Sequence, residues 1–323
     1  MLGLPPPHDM IGISEIATYI PAGRESNLDK LSKFGITKDF IDEKIGVYSV
    51  ARKAANEDTS DLCVASFKRL REKTGIEPGD VDCIVVCTQN PDGKGLPHVS
   101  ALLHGKLGLP RRCASFDISL GCSGFVYSLS ILKAFMEANG FRTGLLFTAD
   151  PYSKIVDPDD KNTALLFGDG AAVTLLTHGT ASRPLLTPVA FDVDSHGAQS
   201  SALINITGKL HMNGRQVFTY SATAVPESVR RVLDTAGLGI QAVDFFLFHQ
   251  GSKYIVDAVA KRLELPADKV ARNMTDHGNT VSSTIPILLE PLVHDARAQR
   301  ILACGFGVGL STATCLLERR ADA

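Results

Sequence analysis

Cys122, His249 and Asn279 are the residues of this 323-residue chain whose types and settings suit nucleophilic chemistry. Cys122 stands in Asp117-Ile118-Ser119-Leu120-Gly121-Cys122-Ser123-Gly124-Phe125, where an apolar strand pattern runs through small residues into a helical one. The pattern predicts a helix starting at the cysteine. Free N–H groups and the helix dipole at such a start favour an anion. A thiolate is an anion, so the thiol pKa is expected below its ordinary value and the nucleophilicity at neutral pH above it. A buried small residue in a tight turn would give the same local pattern. His249 closes the run Phe245-Phe246-Leu247-Phe248, where an imidazole serves either as a hydrogen-bonded core residue or in catalysis. Asn279 sits in His277-Gly278-Asn279-Thr280. A turn asparagine alone carries little, but its NH2 group donates without titrating. Together the three make a Cys/His/Asn set.

Short apolar runs alternating with amphipathic patterns must position them. Strands are expected at residues 81–87, 114–118, 145–148 and 171–176, and helices at 61–73, 99–107 and 123–138, with stops at Gly75 and Asn139-Gly140. This alternation implies an α/β fold with mainly parallel, buried strands. The second half repeats the first. Val81-Asp82-Cys83-Ile84-Val85-Val86-Cys87 resembles Val243-Asp244-Phe245-Phe246-Leu247-Phe248-His249, Leu109-Pro110 is matched by Leu265-Pro266, and residues 144–149 by 300–305, at offsets of 162, 156 and 156. Two related halves, 1–180 and 181–323, are expected to join near residues 178–188. Equivalent strand ends then meet across a pseudo-twofold axis, and one site at the junction collects Cys122, His249 and Asn279.

Composition excludes several classes. A formal net charge of −2 argues against general nucleic-acid binding. No apolar run approaches the roughly 18 residues of a membrane span, and the N-terminus carries no signal-peptide pattern. The seven cysteines show no paired metal spacing, and they read as buried free thiols in a reducing cytoplasm, with Cys122 set apart. No HExxH or EF-hand spacing is present, so no metal is expected. Phe167-Gly168-Asp169-Gly170 lacks the lysine and spacing of a phosphate loop and reads as a structural turn.

The chain resembles the β-ketoacyl-carrier-protein synthase III family of the thiolase superfamily. Gly121-Cys122-Ser123-Gly124-Phe125 is similar to its nucleophile turn, and Phe167-Gly168-Asp169-Gly170-Ala171 to its FGDGA segment. His249-Gln250 and Gly278-Asn279-Thr280 are similar to its histidine and asparagine motifs, and Phe306-Gly307-Val308-Gly309 to its C-terminal glycine turn. The resemblance implies a thiolase-like five-layered αβαβα fold and a homodimer. It implies acyl transfer from acyl-CoA to Cys122, then decarboxylative condensation with malonyl-acyl carrier protein, with no cofactor beyond these substrates. His249 and Asn279 would hydrogen-bond the malonyl thioester oxygen, and the backbone N–H groups of Cys122 and Val308 would form a second oxyanion hole.

Departures from the family pattern concern the substrate. HQAN reads His249-Gln250-Gly251-Ser252, Phe40 stands in place of a tryptophan on the CoA adenine, and Lys44 and Lys154 match two arginines used around CoA. Lysine keeps the charge but loses the planar fork. Val308 replaces a glycine, which requires a negative φ there. Leu96 replaces an aromatic cap that reaches across the dimer, and the smaller cap is expected to admit a longer or branched chain. Lys253, Lys261 and Arg262 on one predicted helix are either a solvated face or a docking patch for an acidic carrier protein. Alternatives are a same-fold acyltransferase moving the acyl group to an alcohol, amine or other acceptor without decarboxylation, and a non-catalytic subunit. Retention of Cys122, His249 and Asn279 favours condensation. Cys304, one residue early for a thiolase second cysteine, is expected in the core.

Overall fold

The computed structural model describes residues 11–178 and 185–320. Among them, nine strands form the main sheet: β1 (Ile11–Tyr19), β2 (Cys83–Cys87), β3 (Ala114–Ile118), β4 (Thr143–Ala149), β5 (Ala171–His178), β6 (Leu185–Ser195), β7 (Phe245–Phe248), β8 (Arg300–Gly307) and β9 (Ser311–Arg320). Their order is β7-β8-β9-β6-β1-β5-β4-β2-β3. Read outward from the centre, β1-β5-β4-β2 and β6-β9-β8-β7 follow one pattern, two antiparallel pairings and then a parallel one. The central strands β1 and β6 meet through the bridge between Ile13 and Leu186. Beyond β2 lies β3, in parallel register; at the corresponding place beside β7, a parallel bridge joins Phe246 to Val270. The expected boundary at 180/181 falls among residues 179–184, outside the described residues.

The expectation of mainly parallel strands is overturned. Antiparallel pairings outnumber parallel ones, because β4–β5 and β8–β9 return on themselves instead of crossing over through a helix. The misreading has a physical source. Helices cover both faces of these strands, so even antiparallel ones carry continuous apolar runs, which periodicity cannot tell from a parallel core.

Six main helices complete the layers: α1 (Thr59–Thr74), α2 (Val99–Leu107), α3 (Gly124–Asn139), α4 (Gly214–Ala236), α5 (Lys253–Arg262) and α6 (Thr284–Leu289). Ile84 and Val86 of β2 point to one face, where Leu62, Phe67 and Leu70 of α1 and Leu103 of α2 pack on them. Cys83 and Val85 point to the other face, as the two-residue strand period demands, and meet Phe125, Leu129, Leu132 and Met136 of α3. That middle layer also holds Ile285, Leu288 and Leu289 of α6 against Leu247 and Ala303. On the far side, Val225, Val229 and Val232 of α4, with Val256 and Val259 of α5, cover Phe246, Phe248 and Leu302. The sequence of layers is helix, sheet, helix, sheet, helix, the αβαβα arrangement expected.

Candidate active site

β3 ends at Ile118, and α3 begins at Gly124 behind the N-cap Ser123. The helix therefore starts two residues after Cys122 and not at it. Cys122 is 3% exposed. Burial pushes its thiol up to about 12, and the Asp150 carboxylate adds to the rise, against the lowering by the backbone N–H groups of Val308 and Cys122. This overturns the expected depression. Desolvation of a thiolate inside an apolar cluster outweighs two N–H dipoles. Gly307, with φ +152°, lets β8 press on the thiol: a Cβ there would lie 2.7 Å from Cys122 Sγ.

His249 follows β7 and is also buried. Its Nδ1 lies 2.7 Å from Thr284 Oγ1, at the start of α6, and its ring stands edge-on to Phe306. Thr284 Oγ1 lies 3.0 Å from the Val281 carbonyl oxygen as well. Two proton arrangements satisfy this geometry. With the hydroxyl proton on Val281 O, Nδ1 donates to Thr284 and Nε2 accepts. With the hydroxyl turned to Nδ1, the imidazole proton sits on Nε2. Burial pushes the His249 pKa down to about 3, so the ring is neutral over the physiological range.

Asn279 Nδ2 is 3.4 Å from His249 Nε2. Its Oδ1 accepts the Val281 N–H at 2.8 Å, which turns the amide NH2 towards the histidine. The Phe167-Gly168-Asp169-Gly170 segment clamps this turn. Gly168 N–H donates to Asn279 O at 3.0 Å, and Asn279 N–H donates to Leu166 O at 2.8 Å. A Cβ on Gly168 would lie 1.8 Å from His277 O. Asp169 accepts from the Lys53 N–H and from Ser153. The segment acts as the structural turn its sequence suggested.

Cys122, His249, Asn279, Phe306 and Gly307 line the inner end of one cavity. Leu166, Leu203 and Val217 make apolar walls, and Phe40, Lys44, Lys161, Phe218 and Tyr254 are also in its lining. Tyr254 is exposed and stacks on Phe218 with ring centroids 5.0 Å apart. Lys44 Nζ stands 4.1 Å from the Tyr254 ring centroid. An apolar passage leads from a cationic and aromatic rim to a thiol beside neutral hydrogen-bond donors. Among the described residues, no group of His, Cys, Asp or Glu is arranged to hold a metal ion.

The remaining expected residues divide. Phe40, Lys44 and Ser252 line the cavity. Ser252 also caps α5 by accepting the Ile255 N–H. Val308 lies beside the thiol and is not among the non-glycine residues with positive φ, as its side chain requires. Lys154 does not line the cavity: its ammonium is held by Asp58 at 2.6 Å and by the Pro91 carbonyl at 2.6 Å. Lys161 lines it instead, 5.8 Å from the Phe40 ring centroid. Leu96 is 93% exposed and outside this chain's cavity lining. Lys253 pairs with Asp257, while Lys261 and Arg262 stand exposed in the last turn of α5. All seven cysteines are free and buried, and Cys304 accepts from Thr314 within the core. Sequence reasoning missed Lys161, Tyr254 and Thr284. For Lys161 a signal existed: it stands six residues before Phe167 at the FGDGA turn, closer than Lys154.

Comparison with known proteins matches residues 116–195 to the family model of 3-oxoacyl-[acyl-carrier-protein (ACP)] synthase III, and residues 233–319 to the model of that enzyme's C-terminal part. A β-ketoacyl-[acyl-carrier-protein] synthase III of Lactococcus lactis is 32% identical, over 95% of this chain and 98% of that protein. The chain belongs to the β-ketoacyl-[acyl-carrier-protein] synthase III family. It is an acyltransferase of the condensing type. A crystal structure of a 3-oxoacyl-(acyl-carrier-protein) synthase III superposes with a TM-score of 0.88 at 31% identity, covering 96% of this chain and 99% of that one. The priming β-ketosynthase of the R1128 polyketide pathway gives a TM-score of 0.87 at 25% identity, over 100% of both chains.

Proposed function

We propose that the enzyme loads an acyl group from acyl-CoA onto Cys122 and condenses it with malonyl-acyl carrier protein to give a β-ketoacyl-carrier protein. The observation that carries this reading is the convergence of Cys122, His249 and Asn279 at the inner end of one apolar passage. In the first step the Cys122 sulfur bonds to the acyl carbon, the bond from that carbon to the CoA sulfur breaks, and the thiol proton passes to the departing CoA sulfur. The carbonyl oxygen, negative in the tetrahedral intermediate, receives the N–H groups of Cys122 and Val308, which point at the sulfur's surroundings. In the second step the malonyl C–C bond breaks, CO2 departs, and the electron pair becomes an enolate. Asn279 Nδ2 and the Nε2–H tautomer of His249 donate to its oxygen. The enolate carbon then attacks the acyl carbon and Cys122 leaves as thiolate. CoA and the pantetheine arm use the same passage, with Lys44 and Lys161 at its rim for phosphates and Phe40 for the adenine. No cofactor is needed beyond these substrates.

The active form is a homodimer. Among the described residues, β3 at the end of the sheet pairs on one side only, and its side chains are half-buried throughout. Such an edge is a template for pairing with a second copy, and Ser119–Gly121 after it lead straight to the nucleophile. In the dimer, Leu96 of the second copy would lie over the acyl site. The seven free thiols suit the reducing cytoplasm.

Intact mass after incubation with acyl-CoA tests the reading. Wild type and Cys304→Ala gain the acyl mass, and Cys122→Ala does not. Added malonyl-carrier protein then releases CO2. An adduct on another cysteine overturns the assignment, and an adduct on Cys122 without CO2 release favours transfer to a different acceptor.

A further inference from the structure

This inference rests on the two-step reading and the homodimer proposed above. Leu96 is 93% exposed, and among the described residues no other large hydrophobic side chain exceeds 53%. It does not hang on a loose loop. Asp92 accepts the Ser60 N–H at 2.8 Å and the Ser60 hydroxyl at 2.6 Å, and Asp58, the N-cap of α1, accepts the Gly93 N–H at 3.4 Å. On the far side of the leucine, the Val99 and Ser100 N–H groups donate to Asp117 of β3 at 2.7 and 2.8 Å. Residues 93–98 therefore form an arm with two fixed feet, one on α1 and one on the strand at the end of the sheet. Lys154 closes the first foot. Its ammonium has three protons, and its partners are Asp58 at 2.6 Å, the Pro91 carbonyl at 2.6 Å and the Asn90 carbonyl at 3.3 Å. A lysine so fully committed has no proton left for a phosphate, and it does not line its own subunit's passage.

We propose that Lys154 is a positioning residue that acts on the second copy's active site: by drawing Asp58 onto the carbonyls of Asn90 and Pro91, it fixes the arm that carries Leu96 over the other copy's acyl-enzyme. The second foot of the arm stands on β3, which pairs on one side only among the described residues, so a copy joined along that edge meets Leu96. A side chain held in its docked geometry beforehand loses little freedom on burial. Over the acylated thiol it keeps water from the thioester. Without the ammonium, Asp58 still caps α1, but Asn90 and Pro91 lose their common donor and the tip of the arm is no longer held in place.

Mixed dimers locate the effect. Wild-type and Lys154→Met subunits with two different affinity tags are co-expressed, and dimers holding one of each are purified over both tags. Cys122 is loaded from acetyl-CoA, free CoA is removed, and the decay of the acetyl adduct is followed by denaturing intact mass, which resolves the two subunits. The adduct on the wild-type subunit, which faces the loosened arm, decays about tenfold faster than in the wild-type dimer, since burial of one leucine side chain is worth at least about a decade. The adduct on the Lys154→Met subunit, which faces the intact arm, keeps the wild-type lifetime. Leu96→Ala gives the same crossed pattern, and Asp58→Asn, which keeps a cap on α1 without the ion pair, gives it in weaker form. The thermal midpoint reports the fold of each variant, and if Lys154→Met does not fold, Asp58→Asn and Leu96→Ala carry the test. Faster decay on the mutated subunit itself makes Lys154 a contact of its own site and overturns the proposal. A monomer in sedimentation removes the dimer reading, and absence of any adduct removes the two-step reading; either takes the inference with it. A folded dimer that loads normally and shows equal lifetimes on both subunits overturns the inference alone.

Discussion

Burial pushes the Cys122 thiol up to about 12, so it is held mostly protonated at neutral pH. The N–H groups of Val308 and Cys122 already favour negative charge there. His249 is neutral down to about pH 3, so in the proposed mechanism it would offer the enolate a donor whose protonation is constant across the working range. This separates the roles of the three residues. His249→Ala and Asn279→Ala each slow CO2 release by about 10²–10³-fold, the usual cost of an oxyanion donor, while acylation of Cys122 falls much less. Single-turnover acylation measured beside CO2 release checks this, and equal losses in both steps would assign the pair to thiol activation. The three residues were legible because each ends a recognisable strand or turn. The thiol's pKa was not, since the sequence shows the helix dipole but not the apolar side chains that gather from both halves. Thr284 was equally hidden, because its contact with His249 spans two elements and leaves no spacing to read.

At the scale of elements, the turn carrying Asn279 is tied to the other half by a buried carboxylate. Asp150, just past β4, accepts from Ser282 Oγ at 2.7 Å, Gln89 N–H at 2.7 Å and Thr88 Oγ1 at 3.3 Å. Beside it, Ser283 Oγ donates to the Thr148 carbonyl at 2.9 Å. Val281, between the asparagine and these bonds, holds φ +54°, a strained value for a β-branched residue that only such over-determination maintains. Burial pushes Asp150 up to about 6, against the lowering by its hydrogen bonds. An unfolded aspartate titrates near 3.9, so between about pH 4 and 6 the native state holds the extra proton. The Asp150 contribution to stability therefore falls as pH rises through that window, and the penalty is complete above it. Asp150→Asn removes this term. Relative to wild type, the variant gains on the order of 2–3 kcal/mol between pH 4 and pH 7.5, at 1.36 kcal/mol per unit. The lowered histidines, His249 and His277, act in the opposite direction but are present in both proteins and cancel in the difference. Denaturant unfolding of both proteins at the two pH values checks it; a pH-independent difference would mean that Asp150 is not titrating. Element positions were largely legible, with residues 99–107 and 114–118 matching α2 and β3 in full. Strand direction was not, because two-sided burial erases the alternation that marks an antiparallel strand.

At the scale of the whole molecule, duplication was legible as recurring landmarks, and it explains why one cavity draws Cys122 from one half and His249 and Asn279 from the other. Partner docking is harder to read, because it depends on which charges remain uncommitted after folding. Lys253, Lys261 and Arg262 formed one patch in the sequence, but the structure separates them. Lys253 is held by Asp257 at 2.8 Å, and Asp257 is shared with Arg272. Lys261 and Arg262 stand exposed in the last turn of α5, about 12 Å along the helix from Lys253 at 1.5 Å per residue. Tyr254 and Ser252 at the other end of that helix line the passage. An acidic carrier domain over the passage would thus be steered by the far end of α5 while its arm enters at the near end. Lys261→Glu combined with Arg262→Glu raises KM for malonyl-carrier protein several-fold at low salt and leaves acylation by acetyl-CoA nearly unchanged. The effect shrinks as ionic strength rises, because exposed charges act through a screened field on association. The thermal midpoint moves little, since such charges contribute little to stability. Lys253→Glu has a different signature: it places a second carboxylate beside Asp257 at the helix start, so it disturbs the passage and raises KM for acyl-CoA as well. Steady-state kinetics with both substrates at two ionic strengths separate the cases. Unchanged carrier-protein kinetics at low salt in the Lys261/Arg262 double variant would make this end of α5 a solvated face and place the docking surface elsewhere on the rim.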